Sequence, residues 1–198
     1  STTASGDEST AFGRLTTASG VGSTAMGDNT TASGMYSTAM GISTDASGRY
    51  STSMGYNTRA SGNYAVAMGH NTIASGNEAV TMGYFTNAPS YNEFVMGRYN
   101  TSYTPVSATN WNTSDRLFVV GNGTGPNALR SDAMVILKNG NTGIGNSTPT
   151  NRLDVSGQIR MRTGATNGYI VQGDANGVMS WVDPRTLGLT GPGGDDWS

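Results

Sequence analysis

With 35% hydrophobic and only 12% charged residues among 198, and 29 glycines, the chain has too few large apolar side chains for an ordinary compact core and too little charge for typical disorder. A formal net charge of −2 with 11 scattered Lys and Arg leaves no basic stripe for nucleic acid, and the lack of cysteine excludes a disulfide framework and thiolate metal sites. Periodic glycine-rich sequence of low charge points to a solenoid or a fibre.

The period is visible from the first residues. Glycine recurs every seventh position from Gly6 and Gly13 to Gly76 and Gly83, is replaced once by Ser90, and returns at Gly97. Two residues before each glycine stands a small residue, Ala4 and Ala11 through Ala88, with Ser53, Thr81 and Val95 as variants; four before it stands Ser or Thr in most units. This alternation has the strand's period of two, with one narrow and uniform face. A heptad helix competes, but Thr, Ser and Gly are poor helix formers and no a/d pair of large apolar residues exists. A short strand and a turn at each glycine predict a solenoid of fourteen-residue coils, stacked about 4.8 Å apart. Thr30 with Ala32 and Ser37 with Ala39 are expected to fill its thin interior.

The residue just before glycine faces outward and alternates. On one strand of each coil it is Ser5, Ser19, Ser33, Ser47, Ser61 and Ser75; on the other it is Phe12, Met26, Met40, Met54, Met68, Met82 and Met96. Stacking coils turns the second set into one apolar stripe opposite a hydroxylated face. Burying a Met or Phe is worth about 1.5–3 kcal/mol, and so long an exposed patch is unusual on a monomer. Methionine as core filler is the alternative, but Ala, Ser and Thr already occupy the interior. The stripe is therefore expected between chains, in a trimer or a dimer. Tyr36, Tyr50 and Tyr64, one coil apart, should form an edge ladder, with Tyr56, Tyr84, Phe85 and Tyr99 at other turns. Tyr36, Tyr50, Tyr64, Tyr84 and Phe85 are candidates for surface binding, the alternative being that they stack on one another to close the edge.

"NTTASGMYSTAMG" and "YNTRASGNYAVAMG" resemble the repeat of the left-handed parallel β-roll heads of trimeric autotransporter adhesins of the Yersinia adhesin A type, over residues 1–97. The resemblance implies an obligate homotrimer that projects from a cell surface and binds host matrix or other surfaces. Methionine stands where that family uses Ile, Leu or Val, and no neck sequence or heptad stalk follows.

The repeat decays at Ala88-Pro89-Ser90, where proline removes a ladder donor, and Glu93 would place a carboxylate inside, so the roll should end near Gly97. Residues 98–115 read as a connector in which Trp111 plugs the last coil or packs between chains, or else offers a ligand platform. Strands are expected at 116–120, 133–138, 152–155, 158–161, 169–172 and 178–182, with turns at Asn139-Gly140, Asn167-Gly168 and Asn176-Gly177. "LFVVGNGTG" and "GDANGVMSWVDP" place residues 116–184 near a module of Bacteroidetes surface proteins and phage-like tail fibres, which implies assembly; its short strands should intertwine between chains. Residues 185–198, with the acidic pair Asp195-Asp196, read as a linker to a further module.

Catalytic constellations are hard to build here. The single histidine, His70, follows a glycine and reads as a solvated turn residue; "GNGTG" and "GNTGIG" read as hairpin turns, not phosphate loops. No cofactor or metal is expected. No apolar run reaches the about 18 residues of a membrane span, no signal peptide is visible, and the start at Ser1 reads as a processed piece. The function expected is a non-enzymatic, extracellular adhesin head for a surface glycan or protein receptor, on a cell surface or a particle. A tail-fibre segment is the alternative, and an ice-binding solenoid a minor one, because Asp45, Arg59 and Ile73 interrupt its hydroxyl array.

Overall fold

The computed structural model describes residues 1–188, which fall into two compact units, Ser1–Gly157 and a second beginning at Gln158. The expected linker at 185–198, including its acidic pair, lies mostly outside the described residues.

Each coil of the first unit contributes one two-residue and one five-residue strand. The short ones, Thr3–Ala4, Thr17–Ala18, Thr31–Ala32, Asp45–Ala46, Arg59–Ala60, Ile73–Ala74 and Asn87–Ala88, form a seven-stranded sheet. The long ones, Thr10–Arg14, Thr24–Asp28, Thr38–Ile42, Thr52–Tyr56, Val66–His70, Val80–Tyr84 and Phe94–Arg98, lie in a second sheet of eleven strands. Pairing is parallel and strictly fourteen residues apart, so that Ala25 meets Ala39, Met26 meets Met40 and Gly27 meets Gly41. The all-β solenoid expected from the seven-residue period is the fold observed.

Two glycines per coil allow this approach. At Gly41 the backbone has φ 124°, a conformation essentially reserved to glycine, and a Cβ there would stand 2.0 Å from the Gly55 carbonyl oxygen. Gly48 has no such φ, yet its Cβ would stand 1.9 Å from the Gly62 carbonyl oxygen. Ser90 breaks the series in the last short-strand coil, where no further coil stacks; its Oγ donates to the Arg116 carbonyl at 3.0 Å instead.

The interior is one side chain thick. Ala18, Ala25, Ala32, Ala39 and Ala46 are completely buried, as are Thr16, Ser23 and Thr30. Five residues separate an inward Ala from the inward Thr across the corner, and the pair decides whether the hydroxyl is satisfied. Where the first position is Ser53 or Thr81, it bonds Thr58 at 2.7 Å or Thr86 at 2.6 Å. Where it is Ala11, Ala25, Ala39 or Ala67, the hydroxyls of Thr16, Thr30, Thr44 and Thr72 have no protein partner.

Beyond Gly97 the short sheet has ended but the long sheet continues. Arg116–Asn122 pairs parallel to Phe94–Arg98, with Phe94-Val95-Met96-Gly97 against Phe118-Val119-Val120-Gly121. Asp132–Leu137 and Thr142–Ile144 follow antiparallel, and Leu153–Val155 closes the sheet. Asn139-Gly140 makes the expected turn between the first two of these, while Thr142–Ile144 is a strand the sequence reading lacked.

A polar cluster caps the last coil. Glu93, only 1% exposed, accepts from the Ser90 amide at 3.0 Å and the Tyr103 hydroxyl at 3.1 Å. Arg116 lies 4.2 Å over the Tyr103 ring and 3.6 Å from Asp132; Lys138 Nζ donates to Ser90 Oγ at 3.1 Å, and Asp115 accepts from the Val106 and Ser107 amides. Trp111 does not plug the coil. It is half exposed, with Lys138 Nζ 5.5 Å from its ring, because these hydrogen-bonded side chains fill the end.

Among its described residues the second unit holds one antiparallel hairpin, Ile170–Gly173 with Met179–Val182, turned at Asn176-Gly177 where Asp174 accepts from the Asn176 and Val178 amides at 2.8 Å. The strand expected at 158–161 does not form: among the described residues no ladder partner lies beside it, and the Met161 carbonyl accepts from the Trp181 indole at 2.9 Å.

Ala39→Ser should give Thr44 the partner that Ser53 gives Thr58, adding about 1 kcal/mol and raising Tm by a few degrees; an unchanged or lower Tm would show that the orphan hydroxyl is already satisfied. Burial pushes the Glu93 carboxyl from 4.5 to about 7, against the lowering influence of Ser90, Arg116 and Tyr103. The folded state therefore holds this proton more tightly than the unfolded one, so the Glu93 contribution to stability is fully present below pH 4.5 and about 3 kcal/mol of it is lost as pH rises through about 7. Thermal melts across that window should show the fall in the native protein and its loss in Glu93→Gln.

Candidate functional site

The outer face of the long sheet carries three columns of side chains, because residues one, three and five of each long strand point away from the interior. The middle column contains all seven sequence-predicted stripe residues, Phe12, Met26, Met40, Met54, Met68, Met82 and Met96, each in register with the next. Phe12 is 71% exposed at one end, Met40, Met54, Met68 and Met82 are half-buried by their neighbours, and Met96 is again exposed.

The stripe is longer than the repeat. Met96 is in register with Val120, Val120 with Met134, Met134 with Ile144, and Ile144 with Val155. Beside it the first column changes from Thr10, Thr24, Thr38 and Thr52 to Val66, Val80, Phe94 and Phe118, the two phenylalanine rings stacking at 5.7 Å. These added positions escaped a fourteen-residue count, since the interval from Met96 to Val120 is twenty-four; the repeated F-V-x-G of 94–97 and 118–121 is the signal that finds them.

The third column is polar at one end and aromatic at the other. Arg14 pairs with Asp28 at 2.5 Å; farther along, Tyr56, His70 and Tyr84 pack with ring centroids 4.8 and 4.9 Å apart. His70 is thus half-buried on a strand and not a solvated turn residue. The glycine before it bends the strand at φ 121° without ending it, which leaves the following side chain on the outer face.

The expected tyrosine ladder forms at the corner after the short strands. Tyr36, Tyr50 and Tyr64 stack in parallel at 5.5 and 5.0 Å and still remain 49%, 42% and 57% exposed, so self-stacking and an open aromatic surface coexist. Tyr84 and Phe85 do not join them. They belong to the corner after the long strands, where Phe85 stacks on Tyr99 at 4.9 Å and meets Tyr84 edge-on at 4.8 Å.

The same corner carries a ladder of polar residues at positive φ: Asn29, Ser43, Asn57 and Asn71. Asn29 donates to Ser43 at 3.3 Å and Asn57 donates to Asn71. The Ser5 to Ser75 face, opposite the stripe, stays largely open to solvent, and its neighbouring column runs Thr31, Asp45, Arg59, Ile73, with Asp45 and Arg59 paired at 3.4 Å. Burial holds the Asp45 carboxyl above its usual range, with Arg59 pulling the other way. Among the described residues no cluster of three or more His, Cys, Asp or Glu gathers for a metal.

Compared with known families, the chain matches one described as YadA head domain repeat (2 copies), at residues 1–16, 18–44, 46–72 and 60–86. No curated protein matches it.

Proposed function

We propose that this chain, whose first 86 residues carry the matches to the YadA head repeat of surface-exposed adhesins, is a non-enzymatic, homotrimeric fibre head that attaches to a surface outside the cell. The observation that carries the reading is the unbroken apolar column from Phe12 to Val155 on one face of the eleven-stranded sheet.

Each Met or Phe side chain fully removed from water contributes about 1.5–3 kcal/mol, so even partial burial of the column outweighs the freedom lost on association. A second copy supplies the same column at the same coil spacing. Three copies around an axis let every stripe meet its neighbours in a closed assembly, without the open contact that would propagate into filaments. Continuity past Met96 supports extending that interface over 116–155, so that head and following strands would share one trimeric core. The opposite hydroxylated face and the two aromatic corners then remain outside, available to a surface glycan or a protein receptor.

Multi-angle light scattering of the purified chain should give three times the 20.4 kDa chain mass. Met40→Asp, Met54→Asp and Met68→Asp together should yield monomer or aggregate. A native dimer would overturn the threefold arrangement, and a native monomer of unchanged stability in the triple variant would overturn the interface itself.

A further inference from the structure

At the far end of the polar corner ladder the roll is indented. A cleft of about 420 Å³ opens between Asn57, Asn71 and Phe85 on the corner, Arg59 on the adjoining short strand, and Ser102 and Arg130 on the returning chain. A second hollow of about 350 Å³ shares Ser102 and Arg130 with it, so that Arg130 lines both.

Arg130 is held from behind. Its Nη1 donates to the Phe85 carbonyl at 3.2 Å and to the Asn100 carbonyl at 2.9 Å, and its guanidinium lies 5.6 Å over the Tyr99 ring. Among the described residues no carboxylate pairs with it. A fixed cation with no counter-charge, lining two hollows, is a receptor for an anionic group. Beside it lies the half-buried Phe85, whose ring is held between Tyr99 at 4.9 Å and His70 at 5.9 Å and turns its rim to the cleft. The amides of Asn57 and Asn71 repeat along the cleft at the coil spacing of about 4.8 Å.

We infer that this cleft binds an acidic saccharide, with the sugar's carboxylate or sulfate on Arg130, an apolar C–H patch of the sugar against the rim of Phe85, and ring hydroxyls on the Asn57–Asn71 ladder. An acidic peptide would satisfy Arg130 but has no use for the evenly spaced amides beside it. The inference rests on the adhesin-head reading for why such a cleft meets a surface polymer, and it names the class of that polymer.

The test is calorimetric titration of the intact chain, its oligomeric mass measured in parallel, with four probes: a glucuronate-containing oligosaccharide, its carboxyl-reduced neutral form, a sulfated neutral oligosaccharide and oligoglutamate. The glucuronate probe should bind at least ten-fold more tightly than its reduced form. The sulfated probe decides whether the anion is read as a carboxylate or simply as a charge. Arg130→Gln should abolish the acid preference and Arg130→Lys restore part of it, while Phe85→Ala should weaken acidic and neutral sugars alike. Because Arg130 also supports the loop, Arg59→Gln serves as a second variant, expected to weaken the acidic probes several-fold, with Asp45→Asn melted in parallel to read the effect of losing the Asp45–Arg59 pair alone. Failure of both acidic sugars to bind the native chain, or stronger binding of oligoglutamate, would sink the saccharide assignment. The oligomeric mass reads the head assembly independently, so a trimer that ignores acidic sugars overturns this inference alone.

Discussion

Everything in the roll depends on how closely one coil can sit on the next. The contact is backbone to backbone at glycine, where any side chain would occupy the space of the neighbouring carbonyl, as at Gly41 and Gly48. Because that contact recurs at the same place in every coil, register cannot drift, and each column of side chains is straight. A thin interior follows, since two sheets joined by such tight corners leave room only for Ala, Ser and Thr. Large residues are forced outward, which is why the apolar surface of this chain lies on a face and not in a core.

The roll therefore separates two tasks that compact domains combine. Its internal stability comes from ladder hydrogen bonds and small-residue packing repeated coil by coil, while its largest apolar side chains line up on an outer face. The polar cap marks the changeover. Glu93, Arg116, Lys138 and Asp115 fill the end of the roll, tied down by hydrogen bonds to Ser90, Tyr103, Thr101 and the 106–107 backbone, and the long sheet passes beside them without interruption.

The roll and its stripe were legible in sequence because both follow from strict period: a glycine every seven residues fixes the coil, and alternation of two fixes which side chains point out. The aromatic ladder of Tyr36, Tyr50 and Tyr64 followed from the same counting. What was not legible breaks the count or depends on contacts distant in sequence. Val120, Met134, Ile144 and Val155 extend the stripe at irregular intervals, Thr142–Ile144 is a strand made mostly by its neighbours, and His70 is placed by a glycine that bends instead of terminating. Phe85 reads as one more turn aromatic, and only the folded chain brings Arg130, forty-five residues later, to its carbonyl.

The parallel ladders have a mechanical meaning. Hydrogen bonds between coils run along the axis of stacking, so tension applied in that direction pulls them lengthwise, and the interfaces, loaded in series, give way one after another. Detaching a single coil releases fourteen residues, about 48 Å of contour at full extension. A head built this way yields under load in equal increments from its end instead of rupturing at once, and the sawtooth of a force–extension trace would carry that spacing.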